Sequence, residues 1–247
     1  MALTQHWFYT RHGNVWIYIP NLIGYARIAS TLTAFLLAQQ YPSVFVILYF
    51  LGFVADETDG RLARKYKQTS TLGAVLDMVT DRVSTAGLLM LLCKTYPNIF
   101  ILFLSLLMLD LFSHWFQMYS TLVAGSATHK DVHSQDFLVR LYYQKRVFMG
   151  FCCVSCEVLY LMCFLCSQPR YQSVGLLPVP LPHQLARLLP GMQKEGQIPA
   201  VAMLALTALP GVLTKQFVNC VQLKNAMASL IAHDQHLADT ATTPKLD

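Results

Sequence analysis

Four aspartates in one short stretch are the residues of this chain best suited to chemistry. Asp56 and Asp59 are three positions apart, and Asp77 and Asp81 are four positions apart. On a helix, residues at these spacings share a face, so each pair would present two carboxylates together. Four facing carboxylates cannot all stay ionised at low dielectric without cations, so either some are protonated or divalent metal is bound. Oxygen-only ligands select Mg²⁺ or Mn²⁺, and two such ions form a clamp for phosphoryl chemistry.

The residues between the two aspartate pairs suit an anionic ligand. Gly60 removes a side chain where phosphate oxygens could approach the backbone, and Arg64 offers a bidentate donor for phosphate. Ser70 supplies a hydroxyl donor, with Thr71 as its alternative. The competing interpretation is a solvated charged loop with Asp–Arg pairs. The spacing of the whole set favours a diphosphate site.

The composition places this stretch in a polytopic membrane protein. The 247 residues are 55% hydrophobic and only 13% charged, well below the charged content of a soluble domain. The net charge of +5 comes from dispersed cations, which does not indicate nucleic-acid binding. Apolar blocks of spanning length predict an all-α membrane protein with six transmembrane helices. The six predicted spans are 18–39, 43–62, 72–93, 97–123, 138–167 and 199–224.

The basic residues predict which side of the membrane the aspartates face. With a cytosolic N-terminus, eleven lysines and arginines fall in cytosolic segments and four on the opposite side. Residues 1–17 then form a cytosolic interfacial segment, 18–232 a six-helix domain and 233–247 a polar, disordered tail. The long connection 168–198 is predicted to be an irregular loop. The aspartate motif would lie at the cytosolic face.

Taken together, the stretch reads D-x2-D-G-x2-A-R-x8-G-x3-D-x3-D without a gap or substitution. This pattern resembles the signature of the CDP-alcohol phosphotransferases, integral membrane enzymes that make phospholipids. It is supplied by Asp56, Asp59, Gly60, Ala63, Arg64, Gly73, Asp77 and Asp81.

The resemblance implies a CDP-alcohol phosphotransferase fold of six helices, usually a homodimer, with two metal ions. By motif position, Asp56, Asp59 and Asp77 would bind the metals. Asp81 would contact the second metal and act as the catalytic base for the acceptor hydroxyl. The resemblance further assigns the CDP diphosphate of CDP-diacylglycerol to Gly60, Arg64 and Ser70.

Three other stretches resemble the eukaryotic phosphatidylinositol synthases within that family. They are PNLIGYARI (20–28), LDMVTDR (76–82) and LDLFSHWFQMYSTLVAGSATHK (109–130). With the signature, the resemblance covers about residues 18–145. It implies that CDP-diacylglycerol and myo-inositol are the substrates, with phosphatidylinositol and CMP as products. The expected cellular compartment is the endoplasmic reticulum, with the Golgi as the alternative.

The fourth predicted span supplies candidates for an inositol pocket. Asp110 and His114 are four apart and share a face of an apolar helix, where ionisable residues usually face a cavity or a partner. The alternative is an internal Asp–His pair that joins helices. Lys130 and Arg140 follow near the cytosolic end as further inositol or diphosphate contacts. Arg27 in the first span is expected to pair with Asp110 or Glu157.

Two rival functions are weighed against this hypothesis. One is another transferase of the same family, of the phosphatidylglycerophosphate or choline/ethanolamine type. The other is a transporter or channel whose carboxylates form a cation path. A cation path predicts carboxylates spread through the bilayer depth, whereas the four aspartates here gather at one predicted membrane face.

Overall fold

The computed structural model describes residues 9–125, 137–178 and 197–242, and these residues are almost entirely helical. The all-α prediction is therefore confirmed. Besides the helices there are 3-10 turns at Val15–Ile17 and Pro97–Ile99 and a two-residue antiparallel pairing of Leu177–Pro178 with Gln197–Ile198. The helices are α1 Ile19–Leu37, α2 Pro42–Lys65, α3 Thr71–Thr95, α4 Phe100–Val123, α5 Phe137–Gln144, α6 Arg146–Cys166, α7 Pro169–Gln172 and α8 Ala200–Thr242.

Three segments of the described chain are long and apolar enough to cross a membrane. They are Pro97–Val123, Arg146–Cys166 and Ala200–Asp239. Helices α2 and α3 have spanning length, with 24 and 25 residues, but they carry the charged motif, which lowers their hydropathy. The chain is thus a helical membrane protein, while the count of six spans stays a prediction.

Two predicted boundaries differ from the structure. The sequence predicts one unbroken span over 138–167, whereas in the structure Lys145 adopts an extended backbone and separates α5 from α6. The sequence predicts a polar, disordered tail from residue 233, whereas α8 continues to Thr242. Within the predicted loop 168–198, residues 179–196 lie outside the described part of the chain.

The chain divides into two units, Met1–Leu88 and Leu89–Asp247. In the first unit, α1 packs along α2, and glycines bring α1 close to α3. A Cβ added at Gly24 would lie 2.7 Å from a methyl carbon of Leu76, and one added at Gly73 would lie 2.8 Å from Oδ1 of Asn21. Gly73 therefore lies where α1 approaches α3 closely.

The link between α2 and α3 begins with a helix cap that has no glycine to indicate it in the sequence. Lys67 has φ of 54°, the left-handed conformation usually taken by glycine at a helix C-terminus. The next amide, that of Gln68, donates to the carbonyl of Ala63 at 2.9 Å, which closes the last turn of α2. The cap turns the chain sharply, so α3 can start six residues after α2 ends.

The side chain of Gln68 then fixes this link to the start of the chain. It is fully buried and accepts a hydrogen bond from the Ile19 amide at 2.9 Å. Its Nε2 donates to the carbonyl of Thr10 at 3.0 Å. The Ile19 amide opens α1 and has no partner within its own helix, so Gln68 supplies the missing acceptor.

In the second unit, the long helix α8 packs against α4 and α6. A small apolar cluster of α5, α6 and α8 residues lies at one of these contacts, formed by Val139, Tyr142, Cys152 and Val218. Buried polar side chains also line α8, among them Lys215, Asn219 and Gln222. Such side chains are costly in a membrane helix and need internal partners.

Candidate active site

The two aspartate pairs of the motif converge, as their spacing predicts. Helix α2 carries Asp56 and Asp59 one turn apart, and α3 carries Asp77 and Asp81 in its first half. Asp56, Asp59 and Asp77 each offer a carboxylate oxygen within 4.8 Å of the other two, an arrangement that could hold a metal ion. Asp59 is buried, while the other three are half-buried. The site is open enough for a ligand to reach it.

Arg27 of α1 stands at the centre of these carboxylates. Its Nη1 lies 2.7 Å from Oδ1 of Asp56, 3.0 Å from Oδ2 of Asp59 and 2.9 Å from Oδ1 of Asp77. Its Nη2 donates to Oδ1 of Asp81 at 2.5 Å. The guanidinium therefore joins α1, α2 and α3 at one point, and only 4% of the arginine is exposed.

Sequence reasoning missed this role of Arg27. The expected partner was Asp110 or Glu157, whereas the ion pairs of the structure are with the four motif aspartates. The available signal was a lone arginine in an apolar helix, which demands an anionic partner without naming it.

The charge of this cluster suits divalent cations. Four carboxylates against one guanidinium leave three formal negative charges when all are ionised. The donors are all carboxylate oxygens, which hard ions such as Mg²⁺ or Mn²⁺ prefer. The residues present therefore fit a divalent metal site.

Gly60 and Arg64 occupy one face of the last turns of α2. A Cβ added at Gly60 would meet Nη1 of Arg64 at 3.6 Å, an ordinary contact distance. Arg64 is exposed, and no ion pair engages its side chain within the described ranges. A bare backbone beside a free guanidinium is an arrangement that can receive a phosphate group.

Ser70 has a structural task next to the motif. Its Oγ accepts a hydrogen bond from the Gly73 amide at 3.0 Å, and its carbonyl accepts from the Ala74 amide at 3.1 Å. Ser70 therefore caps the N-terminus of α3, the helix that carries Asp77. The hydroxyl proton is not used by this cap, so Ser70 can still donate to a ligand.

Comparison with known proteins gives this geometry a family. The sequence model of the CDP-alcohol phosphatidyltransferases matches residues 17–166, which include α1 to α3 and all four aspartates. The chain belongs to this family. Its members generally use divalent metal ions, in agreement with the carboxylate cluster.

Relatives of this CDP-alcohol phosphatidyltransferase are similar over most of its length. A probable CDP-diacylglycerol–inositol 3-phosphatidyltransferase 2 of Arabidopsis thaliana is 44% identical over 223 residues, covering 90% of this chain and 92% of the relative. The CDP-diacylglycerol–inositol 3-phosphatidyltransferase of Saccharomyces cerevisiae is 36% identical, covering 88% and 87%. The enzyme of that name from Rattus norvegicus is 36% identical, and the match covers 66% of this chain and 78% of the relative. No solved structure matches the chain significantly.

The candidate inositol residues of this phosphatidyltransferase lie in the second unit. Nδ1 of His114 is 2.7 Å from the backbone carbonyl of Asp110 and 3.6 Å from its Oδ1, so the predicted shared face exists. Asp110 is buried and His114 half-buried, which makes them an internal pair in α4. Arg140 lies on α5 with an exposed side chain. Lys130 lies outside the described residues.

A buried lysine of the same unit was not singled out from the sequence. Lys215 of α8 is 5% exposed, its Nζ donates to Oδ1 of Asn219 at 2.9 Å, and it lies 5.3 Å from the ring centre of Tyr142. An amide oxygen and an aromatic face are thus its contacts in the described part of the chain, where a carboxylate would be the usual partner. A lysine at the middle of an apolar span was the signal.

Proposed function

We propose that this membrane enzyme transfers the phosphatidyl group of CDP-diacylglycerol to myo-inositol, forming phosphatidylinositol and CMP. The observation that carries the proposal is the convergence of Asp56, Asp59, Asp77 and Asp81 around one point. Relatives named for this reaction extend over about nine tenths of the chain, which favours inositol over another acceptor alcohol. The transferase activity itself follows from the family.

In this proposal, Asp56, Asp59 and Asp77 hold divalent metal, and Asp81 completes the place of a second ion. Mg²⁺ and Mn²⁺ both fit the oxygen donors. When bound, the ions would neutralise the diphosphate and stabilise the charge that develops on the departing CMP. The proximity of three carboxylates within 4.8 Å supports the first ion.

The residues of the motif then divide the remaining work. Gly60, Arg64 and Ser70 hold the diphosphate, so that the bond to CMP points away from the acceptor. Asp81 accepts the proton of an inositol hydroxyl while the oxygen of that hydroxyl attacks the β-phosphorus. A new P–O bond to inositol forms, the P–O bond to CMP breaks, and CMP leaves with the electron pair. The half-buried position of Asp81 lets it face both protein and substrate.

Inositol recognition is assigned to four residues in this proposal. Asp110, His114 and Arg140 would bind or orient the hydroxyls, and Lys130 is retained on sequence alone. The Asp110–His114 pair supports the assignment, because ionisable side chains in an apolar helix are costly and usually face a cavity or a partner. We further propose a homodimer in the endoplasmic reticulum or Golgi, with the aspartates facing the cytosol.

The substrate claim is tested with the purified full-length protein, CDP-diacylglycerol and a panel of radiolabelled alcohols in Mg²⁺ or Mn²⁺. Incorporation of inositol into a chloroform-soluble product, with one CMP released per product, is expected. Incorporation of serine or glycerol phosphate without inositol would refute inositol as the acceptor.

The role of Asp81 is tested with Asp81→Asn, which is expected to lower turnover at least about a hundredfold by removing the proton acceptor. CDP-diacylglycerol binding should persist. Glu57→Gln is the matched control, because Glu57 is an exposed acid of the same motif whose Oε1 pairs with Nε of Arg61 at 2.8 Å. It should retain near-normal activity. Near-normal turnover of Asp81→Asn would exclude Asp81 as the base.

A further inference from the structure

Arg27 and a divalent metal ion would use the same carboxylates. Nη1 of Arg27 lies within 3.0 Å of an oxygen from each of Asp56, Asp59 and Asp77. These are the three residues whose ligand atoms lie within 4.8 Å of one another. A cation that closes on these oxygens must therefore compete with Nη1 for them.

The second nitrogen of Arg27 provides a way to release the first. Nη2 lies 2.5 Å from Oδ1 of Asp81, so a different nitrogen contacts Asp81 from the one that contacts the other three aspartates. The guanidinium can give up three carboxylates and still keep a charged partner within the protein. Because the side chain is 5% exposed, keeping one partner avoids an uncompensated buried charge.

The positive charge of Arg27 also disfavours the binding of metal ions at these carboxylates. With Arg27 present, the ionised cluster has a formal charge of −3, so one divalent ion brings it to −1 and a second to +1. Without the arginine, the same steps run from −4 to −2 and 0. Each ion is therefore repelled by the guanidinium at short range, where the interaction is strong.

We propose that Arg27 is an exchangeable internal counter-cation that neutralises the motif carboxylates and sets how tightly they bind divalent metal. It holds α1, α2 and α3 together through the carboxylates and yields three of them as metal binds. This inference rests on the metal site of the proposed function. The competing role is a permanent bracket that shapes the carboxylates for metal, and the two roles predict opposite changes in metal affinity.

The experiment measures Mn²⁺ binding to the purified full-length protein from the electron paramagnetic resonance signal of free Mn²⁺. Arg27→Met is expected to bind Mn²⁺ at least about tenfold more tightly than the wild type. Its thermal unfolding midpoint should fall in chelator and recover when Mn²⁺ is added, since Mn²⁺ replaces the lost cation. Equal or weaker Mn²⁺ binding by the variant would refute the exchange.

Two further variants keep the test decisive. Arg82→Met is the matched control, because Nη2 of Arg82 lies 3.8 Å from Oδ2 of Asp81, whereas Arg27 contacts Oδ1 of the same carboxylate at 2.5 Å. It should change Mn²⁺ affinity less than about threefold. Should Arg27→Met fail to fold, Arg27→Lys retains the charge but lacks the forked donors, so it should bind Mn²⁺ severalfold more tightly than wild type. Unchanged or weaker binding by Arg27→Lys would refute the proposal.

A failure of the metal site itself gives a different result. Absence of Mn²⁺ binding by the wild type would remove the metal from the proposed function. If the wild type binds Mn²⁺ but the Arg27 variants bind it no more tightly, the proposed role of Arg27 is refuted and the metal site of the proposed function stands.

Discussion

Gly60→Ala separates the stability of helix α2 from its role in holding substrate. Glycine inside a helix costs about 0.5–1 kcal/mol relative to alanine. The new Cβ would meet Nη1 of Arg64 at 3.6 Å, an ordinary contact with the end of a flexible side chain. The substitution should therefore raise the free energy of unfolding by up to about 1 kcal/mol, or about 2–4 °C in midpoint for a chain of this size.

The same methyl group should impair catalysis. If phosphate oxygens approach the backbone at Gly60, the added carbon intrudes where they lie, and overpacking of this kind costs about 1–3 kcal/mol. That cost corresponds to a loss of about 5- to 150-fold in kcat/KM for CDP-diacylglycerol, since 1.4 kcal/mol is tenfold. The expected result is a more stable protein that is a poorer enzyme.

The control for this experiment lies on the same helix. A Cβ added at Gly52 would meet only Oγ1 of Thr31, at 3.8 Å. Gly52→Ala should therefore gain similar stability and retain normal kinetics. Thermal unfolding in detergent and initial rates at varied CDP-diacylglycerol measure both quantities. If Gly60→Ala keeps the kcat/KM of the wild type, the glycine does not make room for the diphosphate.

Two other substitutions test how the helices are held. Gly73→Ala should lower the free energy of unfolding by about 1–3 kcal/mol, because its Cβ would lie 2.8 Å from Oδ1 of the fully buried Asn21. An unchanged thermal midpoint would show that α1 and α3 can move apart at this contact without loss of stability. Asn219→Leu removes the hydrogen-bond acceptor of the buried Lys215 and should cost about 1.5–3 kcal/mol. Adding Lys215→Met to Asn219→Leu should recover part of that loss, whereas additive losses in the double-mutant cycle would show that the two residues do not act as a pair.

The carboxylate site was predictable because its geometry is local. Spacings of three and four within helices place Asp56 with Asp59 and Asp77 with Asp81, whatever the rest of the chain does. A short link then forces the two helix ends together. The shared face of Asp110 and His114 follows from the same rule, and the structure confirms it.

The contribution of Arg27 was not predictable, because it depends on packing between helices distant in sequence. A lone arginine in an apolar segment needs an anion, but several acids were possible partners. Contacts between packed helices, including the approach of Gly24 to Leu76, decide which acid it meets. Sequence spacing carries no such information.

The predicted helix boundaries were wrong for a different reason. The polar residues after 232 predict the end of the last span and the start of a tail, but polarity indicates only where a helix leaves an apolar environment. Backbone helicity depends on propensity, and the stretch through Thr242 is rich in alanine with no proline or glycine. The break at Lys145 has neither proline nor glycine to announce it.

The anchoring of Gln68 bears on where a working fragment of this enzyme can begin. The family match starts at residue 17, which suggests trimming everything before it. Trimming there would discard Thr10, whose carbonyl accepts a hydrogen bond from the side-chain amide of the fully buried Gln68. The turn that sets α2 against α3 would then lose one of its two fastenings, and an orphaned amide would remain inside the protein. The similarity boundary therefore cuts through the support of the turn between α2 and α3, so we expect an active fragment to need residues ahead of the first helix.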